Sequence, residues 1–284
     1  MIFIESTKLC TIISRISDLQ GKRRPLRPEE LAGIRAALCD WISNLPKDLR
    51  LYNEIDARNA YDRLTSELAI QYFVAVIISE FLSYRGAPRN WQTLIPSFLA
   101  ASCAATLYDE IQCRDESLLL LHFHGFFCLI LALPLVHGIP LSASKEESRK
   151  RDLAVLRSIL TEMCSRNADG KMALRMIDDL ENKVKRTMRR QTEPEPSNRM
   201  GEPEGVEPET SFDIHDFHRI FPFPPSLCDN MDLLKLLVAP NDQFLADHLN
   251  PIETWPGDHT TFDFTWMDWF EMDFDNADME GAGR

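Results

Sequence analysis

The chain has 284 residues and a formal net charge of −13, with 44% hydrophobic and 26% charged residues. It has enough apolar material for one large folded domain with tails. The charge is uneven, because residues 241–284 hold eleven acidic residues and one basic residue, a net −10. Since acidic surfaces repel phosphate, this composition argues against direct binding of DNA or RNA by this chain alone.

The N-terminal part of the chain predicts two amphipathic helices. In the first, residues 2–19, isoleucines and leucines recur at three- and four-residue steps, the spacing of one helical face. This stretch has an acid at Glu5 and no basic n-region, so no signal peptide is expected. The second helix begins at Pro28 and ends before Pro46, because proline cannot continue a helix.

Two further helices are predicted in the next 70 residues, a length that suits about two long helices and their connections. Tyr61–Tyr84 carries apolar side chains around most of its circumference, which indicates a deeply buried helix. Another helix starts near Thr93. Its small residues between Ala100 and Ala105 allow a neighbouring helix to approach closely.

The stretch from Leu118 to Val136 has no charged residue and is long enough for about five helical turns. A helix of this kind is either the buried centre of a helical domain or a membrane span. His122, His124 and Pro134 and the lack of a flanking aromatic belt favour the buried central helix. The membrane span is the alternative.

After residue 140 the pattern changes to amphipathic helices, predicted for residues 145–165 and 172–188. No alternating β-branched run and no Asn-Gly turn predicts a strand. The predicted fold class is therefore all-α, with one multi-helix domain over residues 1–190.

A change of composition marks the end of this domain. Residues 191–211 contain six glutamates, four prolines and no aromatic residue. Such a segment cannot bury enough apolar surface to offset its ordering entropy, which predicts a disordered linker. Residues 212–284 are predicted to be a mostly disordered acidic and aromatic region, with a short helix near residues 231–238.

The acidic tail, residues 262–279 (FDFTWMDWFEMDFDNADM), interleaves aromatic side chains with aspartates and has no basic residue. The acids keep the aromatics solvated and available, which is typical of a transcriptional activation segment that folds onto coactivator grooves. The alternative is a solvated tail, or one that packs back on the domain. The residues predicted to contact coactivators are Phe262, Phe264, Trp266, Trp269, Phe270 and Phe274.

A basic run lies near the end of the last predicted helix and comprises Lys183, Lys185, Arg186, Arg189 and Arg190. Short basic runs of this kind are candidate nuclear import signals. The alternative is a solvated helix end whose cations lie near the negative C-terminal pole of the helix.

No residue pattern predicts catalysis, a cofactor site or a metal site. Asp178-Asp179-Leu180-Glu181 weakly resembles the magnesium-binding helices of all-α isoprenoid enzymes, but it lacks their full DDxxD spacing. A glycine-rich phosphate loop and a Gly-x-Ser-x-Gly elbow are both missing from the sequence. His122 and His124 would point to different sides of a helix, so they are predicted to be core histidines and not metal ligands.

The seven cysteines contain no C-x-x-C pair, and several fall inside apolar helical patterns; they are Cys10, Cys39, Cys103, Cys113, Cys128, Cys164 and Cys228. This arrangement predicts reduced, buried thiols in a nuclear or cytosolic protein. It predicts neither a disulfide framework nor a zinc site.

The segment Leu38–Leu49, LCDWISNLPKDL, has the pattern L-x-x-W-x-x-x-L-P-x-x-L. This pattern resembles the signature of the middle regulatory region of fungal binuclear zinc-cluster transcription factors. Tyr61–Tyr84 is similar to the long helix that follows in that family, and Ser102–Ala105 to its C-x-A-A helix. The apolar stretch and the Arg151–Leu160 helix then follow in the family's order.

The chain departs from this family in two ways. Tyr84-Arg85-Gly86 stands where the family usually has His-Arg-Pro, and no arrangement of the cysteines builds the six-cysteine zinc cluster. The resemblance implies zinc only in that missing DNA-binding domain, so no cofactor is expected in this chain. It implies contact with DNA only through the missing domain, or through a partner subunit in a homo- or heterodimer.

The leading hypothesis is therefore a nuclear transcription regulator with no enzyme activity and no membrane association. The helical domain would act as a scaffold, an inhibitory module or a dimer surface, and the acidic tail would contact coactivators. The resemblance implies control of a metabolic or secondary-metabolite gene cluster. A membrane-associated helical protein and an all-α isoprenoid-type enzyme are the alternatives.

Overall fold

The computed structural model describes residues 1–21, 27–54, 57–83, 91–136, 141–166, 168–192 and 218–235. These residues are almost entirely helical, and the predicted all-α class is confirmed. The helices are α1 (Ile2–Gly21), α2 (Pro28–Ser43), α3 (Arg63–Ser83), α4 (Trp91–Cys113), α5 (Phe123–Val136), α6 (Ala143–Cys164) and α7 (Ala168–Thr192). A small antiparallel hairpin joins β1 (Tyr52–Glu54) to β2 (Ala57–Arg58).

The hairpin was not predicted from the sequence, because its strands are too short to show an alternating pattern. Asn59 holds it against the preceding turn. The Asn59 backbone N–H donates to the Leu51 carbonyl oxygen at 2.9 Å, and its side-chain amide donates to the Arg50 carbonyl oxygen at 2.6 Å. Of the short helix predicted near residues 231–238, the described part has a 3-10 turn over Met231–Leu233 followed by helical Leu234 and Lys235. Residues 236–238 lie outside the described part of the chain.

Helices α3 and α4 pack against each other at the centre of the domain. The run of small residues from Ala100 to Ala105 is buried on α4, which allows the close approach that the sequence predicts. Helices α1 and α2 pack beside α3, whereas α5, α6 and α7 pack against one another on the side of α4. The two long apolar helices therefore form the core around which the amphipathic helices gather.

The apolar stretch 118–136 does not form one continuous helix. Ser117–Leu119 is a 3-10 turn and α5 begins only at Phe123, so it has 14 residues. From His124 onward α5 is buried apart from Phe126, as predicted for a central helix. The prediction is wrong for the first residues, because the connection between α4 and α5 lies at the surface. Its exposed side chains are Leu118 (61%), Leu119 (57%) and Leu121 (57%).

Two apolar helices bear on the membrane alternative. Among the described helices, the Arg63–Phe81 part of α3 is long and apolar enough to cross a membrane, and 78% of its most apolar window is buried inside the domain. A helix of the length of α5 measures about 21 Å. The hydrocarbon core of a bilayer is about 30 Å thick, so the segment predicted as the alternative span does not supply a spanning helix.

The two histidines of the apolar stretch have different environments. His124 is fully buried, and its Nδ1 lies 2.7 Å from the Tyr108 hydroxyl oxygen. Its Nε2 lies 3.5 Å from a carboxylate oxygen of Glu67. His124 is thus a core histidine, as predicted, whereas His122 is exposed because it precedes the first turn of α5.

The cysteines are free thiols, and most of them are buried as predicted. Cys10 on α1 and Cys113 at the end of α4 differ, because both are exposed. Cys10 Sγ also accepts a hydrogen bond from the Gln71 side-chain amide of α3 at 3.0 Å. The sequence pattern did not separate these two positions from the buried ones.

Candidate functional site

The aromatic residues predicted to contact coactivators all lie outside the described part of the chain, as do residues 193–211 of the predicted linker. These aromatics are Phe262, Phe264, Trp266, Trp269, Phe270 and Phe274. Their role stays a prediction from sequence. The structure instead bears on the basic run, on the acidic motif and on the segment that precedes the tail.

The basic run lies on the last turns of α7, which extends to Thr192. The side chains of Lys183, Lys185 and Arg186 are exposed, and Lys185 Nζ lies 3.1 Å from Glu181 Oε2. Arg189 and Arg190 continue the same helix. Both the nuclear import role and the solvated helix end require exposed cations at this place, so the choice between them stays a prediction.

The acidic motif 178–181 forms ion pairs at the surface between α6 and α7. Arg157 Nη1 lies 2.7 Å from Asp178 Oδ1, and its Nη2 lies 3.3 Å from Glu181 Oε1. Among the described residues, no group of three or more His, Cys, Asp or Glu side chains is placed to hold a metal ion. The motif therefore acts as a bridge between two helices in this structure.

Residues 218–235, here called the returning segment, pack onto the helical domain. They are the described part of the region 212–284, which is predicted to be mostly disordered, and their apolar side chains contact α3 and α4. Phe221 is 1% exposed, and its ring centroid lies 5.5 Å from that of Phe73 on α3. The Phe223 ring lies 4.9 Å from Phe73, and the Tyr72 hydroxyl donates to the Ile220 carbonyl oxygen.

A buried polar cluster fixes the second half of the returning segment. The Ser102 hydroxyl donates to Asp152 Oδ2 at 2.6 Å, and the Asn230 amide donates to the same oxygen at 3.3 Å and to Ser102 Oγ at 3.0 Å. Burial raises the pKa of Asp152 to about 7. The carboxyl group therefore holds its proton to a higher pH than an exposed aspartate does.

Sulfur contacts and ion pairs surround this cluster. Cys103 Sγ lies 3.3 Å from Cys228 Sγ and 3.7 Å from Met231 Sδ. Burial raises the pKa of the Cys103 thiol well above its usual value, so the group is neutral. Lys145 Nζ of α6 lies 2.6 Å from Asp232 Oδ1. Apolar, sulfur and charged contacts thus attach the returning segment to α4 and α6.

A cleft of about 560 Å³ opens between the start of the returning segment and the Leu38–Leu49 signature. Its lining includes Trp41, Leu45 and Leu49 of the signature, Pro222–Pro225 of the returning segment and Ala69 of α3. The polar lining comes from Ser43, Arg50, Tyr52 and Asn53. The described lining residues include no His, Cys, Asp or Glu, so they offer groups for binding but no acid–base pair.

The signature residues hold one wall of this cleft in place. The Trp41 indole N–H donates to the Glu5 carbonyl oxygen at 3.1 Å, and its ring stacks on Tyr72 at 5.3 Å and 14°. Arg50 closes the end of α2, because its Nε–H donates to the Leu45 carbonyl oxygen at 2.7 Å and its Nη2 donates to the Ser43 carbonyl oxygen at 2.9 Å.

Sequence reasoning missed both the returning segment and the cleft. The signal that could have found them is the run Ile220–Pro225, IFPFPP, which puts two phenylalanines and an isoleucine next to three prolines. Prolines fix an extended backbone at little entropic cost. Such a run can pack its rings on a domain surface without forming a helix.

Comparison with protein-family models, with curated proteins and with solved structures finds no match to this chain. The resemblance to zinc-cluster factors therefore depends on the motifs quoted above. In this fold the signature forms the end of α2 and the 3-10 turn that follows it, over Lys47–Leu49. The small residues of α4 allow tight helix packing.

Proposed function

We propose that this protein is a nuclear transcription regulator that acts through its acidic aromatic tail. The observation that carries the proposal is the composition of residues 262–279, where aromatic residues alternate with aspartates and no basic residue occurs. Segments of this kind bury their rings in shallow coactivator grooves, while their acids speed the encounter with basic surfaces.

The described part of the chain ends at residue 235 on the helical domain, and the acidic tail begins at residue 262. The returning segment is tied to α6 through Lys145 and Arg151, whose charged groups lie 2.6 Å from Asp232 Oδ1 and 3.1 Å from Asp229 Oδ2. The chain that continues towards the tail thus starts from the surface of the folded domain. A scaffold of this kind can present an activating segment or control its access to partners.

DNA would be reached through another polypeptide or through a further domain, because this chain carries a net −13. The exposed cations of α7 are the candidate import signal that would bring the protein to the nucleus. The resemblance to zinc-cluster factors favours a metabolic or secondary-metabolite gene cluster as the target.

The proposal is tested by fusing residues 240–284 to an unrelated DNA-binding domain in a reporter strain. We expect activation well above that of the DNA-binding domain alone, and we expect it to fall to background when four aromatics are replaced by alanine. The substituted residues are Trp266, Trp269, Phe270 and Phe274.

The matched control replaces four polar residues of the same region by alanine, namely Thr260, Thr261, Thr265 and Asn276. It keeps the acidic charge and all the rings, so activation should persist. The proposal fails if the fusion does not activate, or if the aromatic variant and the polar variant activate equally.

A further inference from the structure

The cleft between the signature and the returning segment is far larger than a packing defect. Protein interiors contain few voids larger than a water molecule, whereas this cleft holds about 560 Å³. That volume lies within the range of about 300–1,000 Å³ that is typical of small-molecule sites. It is too small for a helix of a partner protein to enter.

Hydrogen bonds and ring contacts within the protein hold the walls of the cleft in position. The hydrogen bond to the Glu5 carbonyl oxygen and the stacking on Tyr72 fix the plane of the Trp41 indole ring. Phe223, also in the lining, is fixed by ring contacts with Phe73 and Phe221, at 4.9 and 5.1 Å between centroids. Because little side-chain entropy remains to be lost, a flat molecule against these side chains would bind a prepared surface.

Arg50 is the cationic residue in the lining of the cleft. Its hydrogen bonds to the Leu45 and Ser43 carbonyl oxygens use two of the five N–H groups of a guanidinium and fix its plane. Guanidinium groups pair with carboxylates and similar anions through parallel N–H donors. Among the described residues that line the cleft, none has an acidic side chain to compete for this cation.

We propose that this cleft binds a small, flat, ring-containing organic acid, with its rings against the aromatic and proline side chains of the lining and its anionic group at Arg50. The ligand would touch both the helical domain and the returning segment. Binding would therefore stabilise the attachment of the segment that leads to the tail. The site does not depend on a role in transcription, so it can be tested separately.

The test uses the full-length protein and 8-anilinonaphthalene-1-sulfonate, a fluorescent aromatic sulfonate. We expect one saturable site per chain and slower amide hydrogen exchange in residues 218–235 when the probe is bound. Ala69→Phe places a ring in the cleft and should weaken binding about tenfold or more. Ile42→Trp blocks the cleft from α2 and should act in the same way.

The matched control for Ala69→Phe is Ala154→Phe, the same substitution at an exposed position of α6 away from the cleft. Leu119→Asp removes an exposed leucine that could attract the probe non-specifically. Both controls should bind the probe like the unaltered protein. Thermal melting followed by circular dichroism checks that each variant is folded.

The role of Arg50 is tested with a second probe, the uncharged N-phenyl-1-naphthylamine. Arg50→Gln should weaken binding of the sulfonate about fivefold or more and leave the uncharged probe unchanged. The proposal is overturned if the folded cleft-blocking variants bind like the control, or if Leu119→Asp alone abolishes binding. Equal loss of both probes in Arg50→Gln would overturn the preference for an acid.

Discussion

Asp152 has a pKa that the fold raises far enough to be tested by measuring stability against pH. Burial is the main cause that raises its pKa to about 7, although hydrogen bonds from Ser102 and Asn230 and the charge of Arg151 lower it. In the unfolded chain an aspartate titrates near 3.9. The folded protein therefore binds more protons than the unfolded chain between about pH 4 and pH 7. Its neutral form contributes stability that is fully present below pH 4 and is lost as the pH rises through 7.

Replacing Asp152 by asparagine should remove this dependence. Over the range from pH 4 to 7 one proton contributes a slope of up to about 1.4 kcal/mol per pH unit to the free energy of unfolding. We expect Asp152→Asn to gain stability relative to the unaltered protein between pH 5 and pH 8, as measured by urea unfolding. Asp178→Asn at the surface is the control and should show no such trend. A constant difference between Asp152→Asn and the unaltered protein at every pH would contradict the assignment.

At the scale of elements, the apolar stretch 118–136 places leucines both at the surface and in the core. Three of its first leucines lie exposed in the connection after α4, and the later ones lie buried in α5, on the side of α4. A leucine in the exposed part has little apolar surface removed from water. A leucine in α5 is surrounded by α4, α6 and α7 and should contribute several kcal/mol.

The same substitution at two positions measures this difference. Leu131→Ala, at a fully buried site of α5, should lower the free energy of unfolding by about 2–5 kcal/mol. Leu119→Ala, at a site that is 57% exposed, should change it by less than about 0.5 kcal/mol. Urea unfolding of both variants at one pH is sufficient. Similar losses at the two positions would mean that the connection before α5 is buried.

Most helices could be predicted from the sequence because their signals are local. Periodic apolar positions, Pro28 and Pro46 mark α2, and the helix ends at Ser43 as expected. The start of α5 could not be predicted, since leucines look alike in a turn and in a helix. The returning segment could not be predicted either, because Phe221 packs against Phe73, which lies nearly 150 residues earlier in the chain. The cleft depends on that distant pairing and was therefore invisible in the sequence.

At the scale of the whole molecule, the helical domain is stabilised by the returning segment, which follows its last long helix, α7, in the sequence. Phe221 is 1% exposed between Phe73 and Phe223, so Phe221→Ala should cost about 3–5 kcal/mol of unfolding free energy. Urea unfolding measures the cost, and hydrogen exchange should show faster exchange in residues 218–235. Phe3→Ala, at a site that is 79% exposed on α1, is the matched control and should cost less than about 0.5 kcal/mol. If the two variants were equally stable, the returning segment would be a separate unit that covers the core without supporting it.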